Sequence, residues 1–521
     1  MCVRTRERLV RVMSSAAMMP ATLSVACTRS LGCKCPECDL SFSALGDVVG
    51  APSRNSPVAE GSRCGGAASP RGAGAYTFAA FGYNERRTLG APYDADVDGK
   101  LGSVYTMLAE LLAHRGDWVG QKASRSKVTD AGHQDEVHLP RSFQLLLGPA
   151  QGRGIRFSQL GYGMWPPPLV NYYRGFNCLC RKAALIQLLR AAGLTSAMPE
   201  TFLFYPARRD AEELNEYGPL EAAFRAVEGQ DEGGGANTNL WILKPSDGAK
   251  GERIEVMRDL GEMQAFLQSQ SESESGRRSG WVVQRYVDRP LLLRGGRKFD
   301  VRCWVVVDAD YNAYLYREGV LRTGAVPYVV TAENLGDKFV HLTNHCIAAT
   351  HPDYGKFEAT NEMFYAEFGA YLEETFPGRV PAGQGSVLDA VILPQFRRIV
   401  AQTVAAARDT MEVRSEYYRS FHLFGYDFLI DDALKVWLCE INASPAVAEQ
   451  LMPKLVRDLI AVAIDPVLPA FGGAATHDGQ DDRYAHARAT WAADLAAHRT
   501  DLVAPHENGF ELVAPADDRG A

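Results

Sequence analysis

Apolar and charged residues alternate over Arg297-Lys298-Phe299-Asp300-Val301-Arg302, and the run continues into Cys303-Trp304-Val305. Side chains on a strand point to opposite faces in turn. Lys298, Asp300 and Arg302 are therefore predicted on one face, and Phe299, Val301, Cys303 and Val305 on the other. Three charges on one face of an apolar strand are costly to bury without partners; polyphosphate, metal or a substrate carboxylate would supply them. Further on, the apolar run Phe421 to Ile430 is followed by Asp431-Asp432-Ala433 and then Leu434 to Asn442. Two such runs around an Asp-rich turn predict a hairpin, with Glu440 and Asn442 on one face of its second strand and Asp427 facing them from the first. Asp431 and Asp432 read as turn residues.

Upstream, Asn239-Leu240-Trp241-Ile242-Leu243-Lys244-Pro245 predicts a strand that ends in a lysine. The loop after it, Ser246-Asp247-Gly248-Ala249-Lys250-Gly251, has glycines that permit close approach to phosphate. A helix is predicted from Cys178 to Arg190. Beyond Gly472-Gly473, Tyr484, Trp491 and Leu495 recur at helical intervals among alanines, which predicts an amphipathic helix.

The chain has 521 residues, 46% of them hydrophobic, with a formal net charge of -8. That is enough for two or three cored domains. The mild acidity argues against a broad nucleic-acid-binding surface, and no run of about 18 apolar residues predicts a membrane span. Cys178, Cys180, Cys303, Cys346 and Cys439 lie mostly in apolar runs and read as reduced thiols. Cys33-Lys34-Cys35-Pro36-Glu37-Cys38 supplies three thiols without the fourth ligand a structural zinc takes. Residues 1–73 read as a disordered extension. Their early arginines (Arg4, Arg6, Arg8, Arg11 and Arg29 against the single acid Glu7) also satisfy the composition of an organelle transit peptide, a less favoured reading.

Several motifs together carry a resemblance: Val283-Gln284-Arg285-Tyr286, Arg297-Lys298-Phe299-Asp300, Arg317-Glu318-Gly319-Val320-Leu321-Arg322, His341-Leu342-Thr343-Asn344-His345 and Leu423-Phe424-Gly425-Tyr426-Asp427-Phe428. These resemble the tubulin–tyrosine ligase family of the ATP-grasp superfamily, and the likeness runs from about Tyr76 to about Pro469. The resemblance implies an α+β, ATP-grasp fold with a smaller N-terminal α/β domain. Its boundaries are an N-terminal α/β domain at 74–179, a central ATP-grasp subdomain at 180–286, a catalytic subdomain at 287–470, and a tail with a helix at 471–521.

The same resemblance implies ATP and Mg²⁺ as cofactors. Lys182, Lys244, Lys298 and Thr343 would attend the nucleotide, and Gln284 with the backbone of Arg285, Tyr286 and Val287 would form the adenine hinge. Asp427, Glu440 and Asn442 would hold the metal, an all-oxygen set suited to magnesium. Arg302 and Arg322 would bind the acceptor carboxylate as planar forks, while Asp300 and Asn344 would orient the acceptor or the donor. Where the family's loop continues Gly-x-Gly, this chain has Gly251-Glu252-Arg253, so Arg253 is expected either to change loop closure or to reach phosphate. The activity implied is ligation of free tyrosine to the C-terminal glutamate of the α-tubulin tail, within the α/β-tubulin dimer, through an acyl phosphate. The setting implied is cytoplasmic and microtubule-associated, with no nucleic acid and no membrane. Two alternatives stay open: a tubulin glutamate or glycine ligase of the same fold, and a non-catalytic tubulin-binding protein.

Overall fold

The computed structural model of the chain describes residues 76–81, 103–115, 117–126, 136–152, 155–162, 164, 167–206, 213–228, 239–248, 251–270, 280–381, 383–411, 416–468 and 508–515, all within one compact unit, Gly72–Ala521. The Cys33 to Cys38 cluster, the arginines of the extension and the helix read at Tyr484, Trp491 and Leu495 lie outside the described residues. Helices and strands are mixed in an α+β arrangement, and the described strands form three sheets.

The first sheet contains β1 (Tyr76–Phe81), β2 (Trp118–Ser126), β3 (Glu136–His138), β4 (Leu145–Leu147) and β5 (Leu169–Val170). Its β1, β2, β4 and β5 run parallel. Parallel strands are covered on both faces, which is why Phe78 to Phe81 and Leu145 to Leu147 are uniformly apolar and buried. Helix α1 (Ser103–Arg115) adds Val104, Leu108 and Leu112 to the same core, four residues apart on one stripe.

Helix α2 (Lys182–Ala191) follows. The helix expected from Cys178 to Arg190 is interrupted: Arg181 is extended (φ -89°, ψ 123°) between Asn177–Cys180 and α2. The break makes Lys182 the first residue of a helix whose free amides are taken up from outside. Lys182 N–H donates to the Ser246 carbonyl (3.1 Å) and Ala183 N–H to Ser246 Oγ (3.0 Å).

The second sheet is antiparallel: β6 (Thr201–Phe204), β7 (Trp241–Pro245), β8 (Glu255–Met257) and β9 (Trp281–Arg285), in the order β6-β9-β7-β8. Trp241, Leu243, Trp281 and Val283 pack with Leu220 and Phe224 of α3 (Tyr217–Glu228) and Met263 and Leu267 of α4 (Leu260–Ser269). Strand alternation sends Ile242, Lys244 and Gln284 to the opposite face, which lines a cleft.

The third sheet is built on β10 (Leu292–Leu293), β11 (Arg297–Val307), β12 (Ala313–Pro327) and β13 (Glu362–Phe364), with β15 (His422–Ile430) and β16 (Val436–Asn442) beyond β11. The intervening β14 (Arg419–Ser420) pairs in parallel with β5, so the first sheet is completed by residues from beyond the boundary drawn at 179. The apolar face of β11 and β15 lies on α5 (Tyr365–Thr375) and α6 (Leu393–Ala407): Phe299 meets Phe368 with ring centroids 5.4 Å apart, and Phe396 stacks on Phe428 at 4.4 Å. Helix α7 (Met452–Leu459) adds Leu455, Val456 and Leu459 to this core.

In the tail, a strand missing from the sequence reading, β17 (Phe510–Ala514), adds antiparallel to β12. Asp458 of α7 accepts from the Gly509 amide (2.9 Å) and from the Tyr316 hydroxyl (3.2 Å), and so fixes where β17 begins. No helix among the described residues is long and apolar enough to cross a membrane.

Candidate active site

The polar face of the third sheet carries its charges in cross-strand rows. Directly opposed residues of an antiparallel pair share a face. One row runs Glu362 on β13, Arg322 on β12 and Asp300 on β11. The next runs Phe364, Val320, Arg302, Asp427 and Glu440, and a third brings Asn442 opposite Gly425. The alternation predicted for β11 therefore holds, and the hairpin of β15 and β16 sets Asp427 against Glu440. Asp431 makes the turn between them, accepting from the amides of Ala433 and Lys435 (3.0 and 2.9 Å).

These groups form one connected network. Arg302 grips Asp427 through Nε and through Nη2 (2.9 Å to Oδ2). Arg322 bonds both oxygens of Asp300 and also Asp427 Oδ2 (2.7 Å). Asn442 Nδ2 lies 3.3 Å from both Asp427 Oδ2 and Glu440 Oε1, and Glu440 pairs with Lys182 at 3.2 Å. Burial acts to raise the Glu440 carboxyl, but the charges of Lys182, Arg322 and Arg302 outweigh it and hold the group at about 2. Burial pushes Asp300 upward despite Arg322.

Across from this network, three lysines converge on the cleft between the second and third sheets. Lys182 Nζ donates to the Gly248 carbonyl (2.9 Å) and Lys244 Nζ to Gln284 Oε1 (3.1 Å). Lys298 Nζ donates to the Tyr286 hydroxyl (2.9 Å) and the His341 carbonyl (3.0 Å). Burial lowers Lys244, and it lowers Lys298 to about 8. The cleft also takes in Gln284, Arg285, Tyr286, Val287, Asp300, Arg322, Thr343, Asn344, Asp427 and Glu440, so most of the residues read from the sequence meet there. Of the hinge, the Arg285 and Tyr286 amides are already engaged, by the Glu200 and Leu240 carbonyls (2.8 and 2.9 Å).

Two expected residues fall elsewhere. Arg302 lies outside this cleft and lines a second, larger cavity of about 1400 Å³, together with Arg297, Val320, Phe357, Glu362 and Val447. Arg322 lines both. Asn442 lines neither and reaches the site through Asp427 and Glu440. The two arginines are spent on Asp427 and Asp300, where the sequence reading had them open toward an acceptor. The reason is their register: each sits one strand from a carboxylate on the same face.

Arg253 does not line the cleft. Its guanidinium lies over the Trp281 ring, 5.5 Å from the centroid, and its φ of 54° is left-handed, costly for a residue with a Cβ. Neighbouring Gly251 has φ 73°, and a Cβ there would come within 2.7 Å of Ile347 Cδ1.

Sequence reasoning missed three features. The register jumps from Phe428↔Leu438 to Asp427↔Glu440, so Cys439 is bulged and lines the cleft beside Glu440; burial holds its thiol at about 12. Tyr286 bridges Lys298 to His341 Nδ1 (2.8 Å). Glu362 stands opposite Arg322. The first two depend on where a bulge and a loop fall, and the third on which strand pairs with β12, so none leaves a sequence signal. His345 is exposed at the wall of the large cavity.

Asp427, Glu440 and Asn442 offer two carboxylates and an amide. That is a partial shell suited to a hard cation completed by phosphates and water. Among the described residues no group of three or more His, Cys, Asp or Glu side chains is arranged to hold a metal on its own.

A lysine-lined cleft beside paired carboxylates and forked arginines has the cationic groups to receive a polyanion. The chain belongs to the tubulin-tyrosine ligase family, whose model matches residues 166–473. It is 32% identical over 238 residues to Tubulin glycylase 3C of Tetrahymena thermophila, a match covering 44% of this chain and 20% of that protein. It is 33% identical over 240 residues to Tubulin monoglycylase TTLL3 of Danio rerio, covering 44% and 29%. With Tubulin glycylase 3D of Tetrahymena thermophila it shares 30% over 237 residues, covering 44% and 21%. The chain thus spans less than a third of the length of these relatives.

Proposed function

We propose that this protein is an ATP-dependent ligase that joins the amine of free glycine to a glutamate carboxylate of a tubulin C-terminal tail through an acyl phosphate. The observation that carries the reading is the position of Arg322, which belongs at once to the lysine-lined cleft and to the large cavity. A carboxylate entering from the cavity would meet, at that arginine, a phosphate held in the cleft. Family membership supports the class of reaction. The names of the relatives favour glycine over the tyrosine expected from the motifs, since each of the three is a glycylase.

The placement of the second sheet over the third supports an ATP-grasp arrangement, with Lys182, Lys244 and Lys298 facing the phosphates and Gln284 and Val287 toward the base. Fixed charges of this kind act by stabilising charge that develops on the transferring phosphoryl group. A magnesium ion, when bound, would supply electrostatic stabilisation beside Asp427, Glu440 and Asn442. For Asp427 to be free, Arg302 and Arg322 must let go of it; Arg302 then has its fork to offer a substrate carboxylate, while Arg322 keeps its two bonds to Asp300. The implied setting is the cytoplasm, on microtubules.

The test is to incubate the purified protein with ATP, Mg²⁺ and tubulin and, in parallel, labelled glycine, tyrosine or glutamate. Glycine is expected to be incorporated, with ADP formed in step. Incorporation of tyrosine or glutamate instead would restore one of the other donors, and no incorporation with any of them would leave a tubulin-binding protein.

A further inference from the structure

The large cavity has a carboxylate for which neither the fold nor the nucleotide has a use. Glu358 is bound bidentately by Arg297 (2.6 and 2.7 Å), and Glu374 is paired with Arg294. Glu367 and Glu449 are exposed at the rim. Glu362 differs: it is half-buried, lines the cavity, and stands opposite Arg322 in the β12–β13 register. Arg322 turns away from it to Asp300 and Asp427. The Thr360 hydroxyl donates to Glu362 at 3.2 Å, and among the described residues Glu362 forms no ion pair.

The backbone that presents this carboxylate is held firmly. Thr360 and Asn361 both adopt left-handed φ (57° and 52°), which residues with a Cβ keep only where surrounding bonds impose it. Those bonds are present. Buried Asn361 donates to the Thr323 carbonyl (2.9 Å) and accepts from the Gly355 amide (2.7 Å), and Thr323 Oγ1 donates to Glu358 (2.8 Å). A conformation maintained at this cost delivers one acidic side chain into the cavity beside the arginine where the two pockets meet.

We propose that Glu362 binds the ammonium group of the free amino-acid donor and takes a proton from it as the nitrogen attacks. This rests on the ligase reading above. Glycine arrives as the zwitterion, and Glu362 accepts one ammonium proton. The nitrogen lone pair forms the C–N bond to the acyl carbon while the C–O bond to phosphate breaks. The second nitrogen proton leaves with the departing phosphate, and Glu362 returns its proton to water. An anion facing the cavity also orients the zwitterion, with its amine toward β13.

Hydroxylamine separates this step from activation. It is largely uncharged at neutral pH, traps an acyl phosphate as a hydroxamate, and needs no carboxylate to receive it. With the full-length protein, tubulin, ATP and Mg²⁺, Glu362→Gln is expected to form hydroxamate within about twofold of the native protein, while glycine incorporation falls roughly tenfold or more with a raised KM for glycine, the effect of losing a charge-assisted contact. Glu362→Asp should recover part of that loss. Glycine incorporation by Glu362→Gln within about twofold of native overturns the assignment, as does a parallel loss of hydroxamate. If the native protein itself forms no hydroxamate, the ligase reading falls and this assignment with it.

Discussion

Lys298 sets the electrostatics of the cleft at the scale of one residue. Burial lowers its ammonium from the ordinary 10.5 to about 8, with Lys244 adding to the effect and Cys439 and Asp300 opposing it. Between those two values the unfolded chain keeps a proton that the folded chain has released, so stability should rise with pH across that window; below it the cost of the buried charge is fully present. Lys298→Met is therefore expected to melt higher than the native protein at neutral pH and to lose the rise, which thermal unfolding at a series of pH values would reveal. Nucleotide affinity should move the other way. In the native protein it falls as pH passes through about 8, and in Lys298→Met it is weak and flat, as titration calorimetry would record. A native affinity that is level through this range contradicts the role proposed for Lys298 at the phosphates.

At the scale of elements, the loop after β7, proposed to cover the phosphates, separates two neighbouring residues of unequal consequence. Gly251 lies against Leu342, Ile347 and Asn344 on the facing segment, with a φ that only glycine adopts freely. Gly251→Ala should prop the loop open and weaken nucleotide binding by more than about tenfold, the equivalent of about 1.4 kcal/mol. Arg253→Gly removes a left-handed arginine and a contact with Trp281, and so should change affinity by less than that. Equal effects from the two changes would mean that the tight packing of Gly251 against the facing segment does not govern nucleotide binding. The same loop marks how far the sequence could be read. Period-two alternation made β11 and the β15–β16 hairpin legible, and with them the shared face of Lys298, Asp300, Arg302, Asp427 and Glu440. Sequence could not reveal the break at Arg181, because its cause is Ser246, 65 residues on, taking up the amides of α2. Nor could it reveal that Arg302 and Arg322 are neutralised, because that follows from pairing across strands and not from either strand alone.

Over the whole molecule, helix α2 and the second and third sheets bring residues from Lys182 to Glu440 to one cleft, and the chain returns at Phe510 to add a strand to the third sheet. Removing residues 508–521 would expose the β12 edge and strip Phe510 from its contact with Tyr316 (ring centroids 4.8 Å). Losing one buried aromatic costs about 1.5–3 kcal/mol, so the truncated protein should melt a few degrees lower by calorimetry and still bind nucleotide; an unchanged melting temperature would show that β17 contributes nothing. The central claim is that a phosphate in the cleft is passed to a carboxylate in the cavity across Arg322. Acceptor tails whose glutamate carboxylates carry heavy oxygen test it most directly, with mass spectrometry of the phosphate released during ligation. If the carboxylate is activated as an acyl phosphate, one heavy oxygen appears in each phosphate released per amide formed. Phosphate free of the label, released while amide accumulates, would contradict the account.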